Sequence, residues 1–325
     1  MSEFPAYRPR RLRRTAGLRR AFAETTLGPS DLIAPLFVKE GIPEPAPIPS
    51  MPDHHQHTLE SLVKETRELV ERGVAGVILF GVPARKDARG SEAHNDDGIT
   101  QRALRAVKDE VGDEAVAIAD LCLCEYTDHG HCGVLRGQEI DNDPTLEIYG
   151  AIAPSQAAAG ADIVAPSGMM DGQVRAIRRA LDATGHENTA ILAYAVKYAS
   201  SFYGPFRQAA EGAPSFGDRH GYQQDPPNAL EALREARLDV DEGADALMVK
   251  PALGYLDVLS TVKQELGYPT AAYNVSGEYS MLVAAAQKGW IDERAATIEV
   301  LTSIRRAGAD LIVTYHAKKA AEWLG

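Results

Sequence analysis

The chain reads as an α/β protein of the (β/α)8 barrel class, and three features of its 325 residues predict this. Short apolar runs alternate with amphipathic helical stretches from residue 31 onward, and eight such runs can be counted. Reactive side chains cluster by position as well: Asp120, Cys122, Lys197, Lys250, Ser276 and Tyr315 all stand at or just past the ends of predicted strands, where a parallel barrel builds its active site. The alternative, an open doubly wound sheet, lacks support, since no Gly-x-Gly-x-x-Gly follows the first strand and no phosphate loop occurs.

The elements follow in order. Asp31 to Lys39 is a first strand, and the five prolines from Pro43 to Pro52 then predict a stiff surface connection. Its His54-His55-Gln56-His57 reads as solvated loop, with no thiol nearby to make a metal site. From Thr58, Leu59, Leu62, Val63, Leu69 and Val70 recur at helical spacing up to Gly73, and Gly76 to Val82 is the second strand. A polar loop, 85–98, and a helix, 99–110, lead to the third strand, 115–122. Helix 145–159 precedes strand 161–166, helix 171–184 precedes strand 190–197, and helix 228–242 precedes strand 246–251. Helix 255–266 precedes strand 270–276, helices 279–288 and 292–306 precede strand 311–316, and a short helix closes the chain. A weak repeat marks the helix-to-strand joins: Gly160-Ala161-Asp162, Gly243-Ala244-Asp245 and Gly308-Ala309-Asp310, with Gly73-Val74-Ala75 as a looser copy. Its glycine ends each helix.

Composition bounds the function. A net charge of -12 argues against a nucleic-acid binder, and no apolar run is long enough to span a membrane. The arginine-rich start (Arg8, Arg10, Arg11, Arg13, Arg14, Arg19, Arg20) lacks the apolar core of a signal peptide, so a cytoplasmic protein is expected. Pro5 and Pro9 interrupt a continuous amphipathic helix, which favours an extended arm over residues 1–30, bound to a neighbouring subunit, ahead of a catalytic domain at 31–325.

The predicted strands 190–197 and 246–251 carry Lys197 and Lys250 at their ends. A lysine at the mouth of a buried strand either snorkels to the rim or loses its proton and becomes a nucleophile toward carbonyl groups. Lys197 and Lys250 in one pocket would depress each other's pKa by like-charge repulsion. The three cysteines, Cys122, Cys124 and Cys132, fall in one loop with His129 and His131. Thiolates suit zinc, and three protein ligands leave a coordination position open; buried inert thiols are the alternative, and the cluster is too compact for a disulfide framework.

Asp120 to Gly133, Lys197 to Arg207, Met248-Val249-Lys250-Pro251 and Val275 to Tyr279 together carry a resemblance to the porphobilinogen synthase (5-aminolaevulinate dehydratase) family over nearly the whole chain. That resemblance implies a TIM barrel with an N-terminal arm, usually assembled as a homo-octamer. It implies condensation of two 5-aminolaevulinate molecules to porphobilinogen with loss of two waters, early in haem and other tetrapyrrole synthesis. Lys250 would form the Schiff base with the propionyl-side substrate and Lys197 that with the acetyl-side substrate. Cys122, Cys124 and Cys132 would hold Zn2+, and Asp120 would move a proton. Arg207 and Arg219 would clamp one substrate carboxylate and Ser276 and Tyr315 the other, beneath a lid at 203–226. Glu235 aligns with a residue that holds an allosteric Mg2+ in some bacterial members; the alternative is an ordinary helix-face glutamate. The chain departs from the family at Gly168, where aspartate is frequent, and at Gln173, Ala252 and Gly254. Two rival functions are a Schiff-base aldolase, which leaves the second lysine and the thiols unexplained, and a zinc protein without catalysis, which leaves both lysines unexplained.

Overall fold

A computed structural model describes residues 7–325. Strands β1 (Leu32–Lys39), β2 (Gly76–Val82), β3 (Val116–Leu121), β4 (Ile163–Pro166), β5 (Ala190–Lys197), β6 (Ala246–Lys250), β7 (Thr270–Asn274) and β8 (Leu311–Thr314) pair in parallel in chain order. β8 returns to β1 through Leu32↔Ile312 and Ile33↔Val313, so the sheet closes into the expected barrel. Strand alternation sorts the side chains into two layers. Ile33, Phe37, Ile78, Phe80, Ile118, Leu192, Tyr194, Met248, Tyr273 and Val313 fill the interior. Their neighbours, such as Leu36, Leu79, Ala119, Ala193, Leu247 and Ile312, pack outward under the helices.

The Gly-Ala-Asp repeat has a second function beyond ending helices. Gly160, Gly243 and Gly308 take φ of 101°, 108° and 120° just after their helices. Each aspartate then accepts a backbone N–H from the neighbouring strand at 2.8 Å: Asp162 from Ala117, Asp245 from Ile191 and Asp310 from Thr270. The repeat therefore ties adjacent strands at the floor of the barrel, opposite the strand ends that carry the chemistry.

One irregularity sets the active face. β5 and β6 run in register as Ala246↔Leu192 and Leu247↔Ala193, then resume as Val249↔Val196 and Lys250↔Lys197, one residue longer on β5. Ala195 and Val196 consequently both pack outward. The extra residue reverses the phase of the strand, so Lys197 turns inward beside Lys250 rather than into the helical layer.

Several expectations need correction. The arm is not extended throughout: Pro9–Arg13 forms a 3-10 turn and Ala16–Ala21 a short helix, whose N-cap Thr15 accepts from Leu18 N–H. Proline fits the first turn of a helix, so Pro9 starts one turn rather than preventing structure. No side chain of either piece is buried; Pro5 lies outside the described residues. The His54–His57 stretch is not solvated. His55–His57 adds to the edge of β1 and pairs with Ala46–Pro47, while Ile48 and Met51 are buried. Burial keeps His54 and His57 neutral, with pKa values of about 4. Two helices begin three residues earlier than predicted, at Asn142 and Ser276. Among the described residues no helix is long and apolar enough to cross a membrane.

Candidate active site

The lysine half of the site stands on β5, β6 and β7. Lys197 and Lys250 are direct register partners, and both are buried. Their surroundings differ. Lys197 Nζ donates to the carbonyl of Ser167, in the turn after β4. Lys250 Nζ sits among aromatic faces, 4.2 Å from the ring centroid of Tyr273, 5.0 Å from Tyr194 and Phe206, and 5.3 Å from Tyr203. Burial first, and the Lys197 ammonium second, lower the Lys250 pKa to about 7, while Asp120 opposes them. A substantial share of Lys250 is thus a free amine near neutral pH, the form that attacks a ketone.

The thiol half lies on the loop after β3. The Sγ atoms of Cys122, Cys124 and Cys132 all fall within 4.8 Å of one another, with Cys122 and Cys124 3.5 Å apart. Burial raises the Cys122 pKa, whereas hydrogen bonds from Cys122 and Cys124 hold Cys132 well below the usual thiol range. Three buried sulfurs converging on one point suit a soft divalent metal. Asp120, one residue before the end of β3, brings its carboxylate within 4.8 Å of Cys122 Sγ; its Oδ2 accepts from Ser167 Oγ at 3.2 Å and its Oδ1 has no partner among the described residues. Burial pushes its pKa well up, followed in effect by Glu125.

The segment after β5 closes over this loop. Arg219 is buried and donates to the carbonyls of Gly130 at 2.9 Å and Gly212 at 2.6 Å, and Ser215 N–H donates to His129 O at 2.9 Å. His131 bonds both Tyr222 Oη and Phe216 O at 3.1 Å. Arg207 is half-buried on the helix Gly204–Ala209, and burial, followed by repulsion from Arg219, lowers its pKa. Both guanidinium groups keep a buried Nε without a partner among the described residues. Ser276 Oγ accepts from Phe206 N–H at 2.9 Å, and Tyr315 Oη shares a 3.0 Å bond with Tyr273 Oη. Glu235 belongs to neither cluster, but it shares a groove of about 700 Å³ with His131 of the thiol loop. Asp171 and Glu231 line the same groove, and burial and these acids raise the Glu235 pKa.

Sequence reasoning missed the aromatic cage, Glu125 and Ser167. Glu125 accepts from Cys124 Sγ at 3.2 Å, and burial raises its pKa to about 7. Its position next to a thiol ligand candidate was a visible signal. Tyr194 and Tyr273 gave none, because inward direction depends on the strand phase.

A closed barrel with paired strand-end amines beside a buried trio of thiols defines an α/β-barrel enzyme equipped for carbonyl chemistry next to a soft-metal donor set. The family model "Delta-aminolevulinic acid dehydratase" matches residues 6–323. The chain is 57% identical to the delta-aminolevulinic acid dehydratase of Halalkalibacterium halodurans over 98% of this chain and 96% of that one. It is also 57% identical to that of Archaeoglobus fulgidus, over all of both chains. A crystal structure of the Toxoplasma gondii enzyme, in complex with the reaction product porphobilinogen, superposes with a TM-score of 0.95 at 46% identity, covering 98% of this chain and 91% of that one. The chain belongs to the delta-aminolevulinic acid dehydratase family.

Proposed function

We propose that this chain condenses two 5-aminolaevulinate molecules to porphobilinogen with loss of two waters, as a step of porphyrin biosynthesis. The observation that carries the reading is the register pair Lys197 and Lys250, turned inward on adjacent strand ends below the thiol loop. Lys250, free of its proton near neutral pH, attacks the ketone of one substrate; the amine and the carbonyl lose one water and leave an imine. The protonated imine withdraws electrons from its carbon and from the adjacent C–H, which eases both attack and proton loss. Lys197 forms the corresponding imine with the second substrate, and Asp120, with one oxygen unpartnered, moves protons beside it.

Cys122, Cys124 and Cys132 hold the metal in this reading, zinc being the ion that a sulfur-rich site with an open position favours. When bound, the ion supplies Lewis-acid polarisation at the second substrate. The unpartnered Nε atoms of Arg207 and Arg219 suit one carboxylate. Ser276 and Tyr315 serve the other by exchanging their present hydroxyl bonds. The segment 203–226 acts as the lid, and the arm as the contact that builds an octamer in the cytoplasm. For Glu235, the Mg2+ role rests on the acids Asp171 and Glu231 beside it.

Incubation of the purified chain with 5-aminolaevulinate and zinc, followed by colorimetric detection of the pyrrole, tests the reading. Pyrrole formation is expected. Its absence from a folded, zinc-loaded protein overturns the assignment.

A further inference from the structure

Tyr149 is fully buried in the helix Asn142–Ala158, and its hydroxyl donates to the backbone carbonyl of Cys132 at 2.6 Å. The same hydroxyl presses on Gly168. A Cβ at position 168 would lie 1.8 Å from the Tyr149 hydroxyl oxygen and 2.7 Å from its ring carbon Cζ. All three of its nearest atoms belong to Tyr149, so space for this ring alone accounts for the glycine. Gly168 directly follows Ser167, whose carbonyl accepts from Lys197 and whose hydroxyl donates to Asp120. One side chain thereby touches the backbone of the thiol loop on one side and the turn beneath Lys197 on the other.

We propose that Tyr149 is a positioning residue that couples the metal loop to the Lys197 turn, and that Gly168 is glycine in order to admit it. The proposal rests on the thiols being the metal centre. Fixing the Cys132 carbonyl fixes the direction in which its Cα–Cβ bond delivers sulfur to the other two thiols. The ring cannot swing aside. It has no solvent-exposed surface and is packed within the outer core, so any displacement breaks either the Cys132 bond or the packing. A methyl group at 168 therefore pushes on both the thiol loop and the Ser167 carbonyl.

The test uses the full chain and zinc itself. Zinc affinity is measured by competition with a chromophoric chelator, loop geometry by the thiolate-to-cobalt charge-transfer band of the Co2+-loaded protein, and fold by far-ultraviolet circular dichroism. Tyr149→Phe keeps the ring and removes the hydroxyl; it should weaken zinc binding about 10- to 100-fold and shift the cobalt band, with unchanged circular dichroism. Gly168→Ala should weaken zinc binding in the wild-type background yet have no further effect on top of Tyr149→Leu, where the obstructing ring is gone. Zinc affinity of Tyr149→Phe within about twofold of wild type overturns the coupling, as does an equal Gly168→Ala effect in both backgrounds. Should Gly168→Ala fail to fold, Tyr149→Phe decides alone. Wild-type protein whose thiols take up no zinc overturns the metal reading first and this inference with it, and that result is visible before any variant is made.

Discussion

The lysine half and the thiol half meet at one mouth of the barrel but are held there by different means. Lys197 and Lys250 stand on paired strands, so the backbone ladder fixes their separation before any ligand arrives. The cysteines stand on a loop that other loops hold: Asp87 and Thr127 form an isolated parallel bridge on one side, and Ser215, Arg219 and Tyr222 of the segment 203–226 bond His129, Gly130 and His131 on the other. Reactivity in the first half therefore comes from burial and like charge within a rigid frame, and in the second from donor convergence that depends on several surface segments staying closed. The two halves should respond differently to the same perturbation.

The largest effect falls on the strand-borne half. Lys250→Met should abolish turnover and the borohydride-trapped label formed in limiting 5-aminolaevulinate, as read by peptide mapping. It should also change how stability depends on pH. The Lys250 pKa is about 7 in the native state against an ordinary 10.5, so the unfolded chain binds more protons between those values and wild-type stability rises with pH across that window. Lys250→Met should flatten that rise in denaturant titrations; a slope equal to wild type would show that Lys250 is not buried as an amine.

Removing metal addresses the loop-borne half. Dialysis against a chelator should eliminate turnover with little change in far-ultraviolet circular dichroism, while the label on Lys250 persists. Loss of that label together with turnover would mean that the reactivity of Lys250 itself requires the metal. Full activity of metal-free protein, verified by elemental analysis, would sink the metal assignment.

A smaller shift is expected from Lys197→Met, which removes the neighbouring ammonium. The Lys250 pKa should rise from about 7 to about 8, which lowers the free-amine share at pH 7 from about one half to about one tenth, so labelling slows about fivefold and recovers in more alkaline buffer. An unshifted labelling profile would assign the low pKa to burial alone.

Among the described residues neither half includes one from the arm, and its removal should have the least effect on chemistry. Deleting residues 1–20 should yield a smaller species by light scattering that retains the Lys250 label and zinc stoichiometry. An unchanged particle mass would contradict an assembly role for the arm.

Much of this molecule was legible in the residues. The eight apolar runs marked the strands because a parallel strand buried on both faces needs continuous hydrophobicity, and the three cysteines in one loop marked a metal-ligand set because thiolates are favoured ligands of soft divalent ions. Local pattern failed where long-range packing decided the outcome. His54 to His57 read as solvated because the side chains are polar, yet the open edge of β1 captured them, an event that no local pattern encodes. The repeated aspartates were seen, but their partners are on strands that lie 40 to 54 residues away. Above all, the sequence determined that Lys197 and Lys250 stand at strand ends, and only the tertiary structure decided that both face inward. Strict alternation from Tyr194 would aim Lys197 at the helices; one extra residue in β5, measured against β6, reverses that direction, and such a bulge exists only relative to a partner strand.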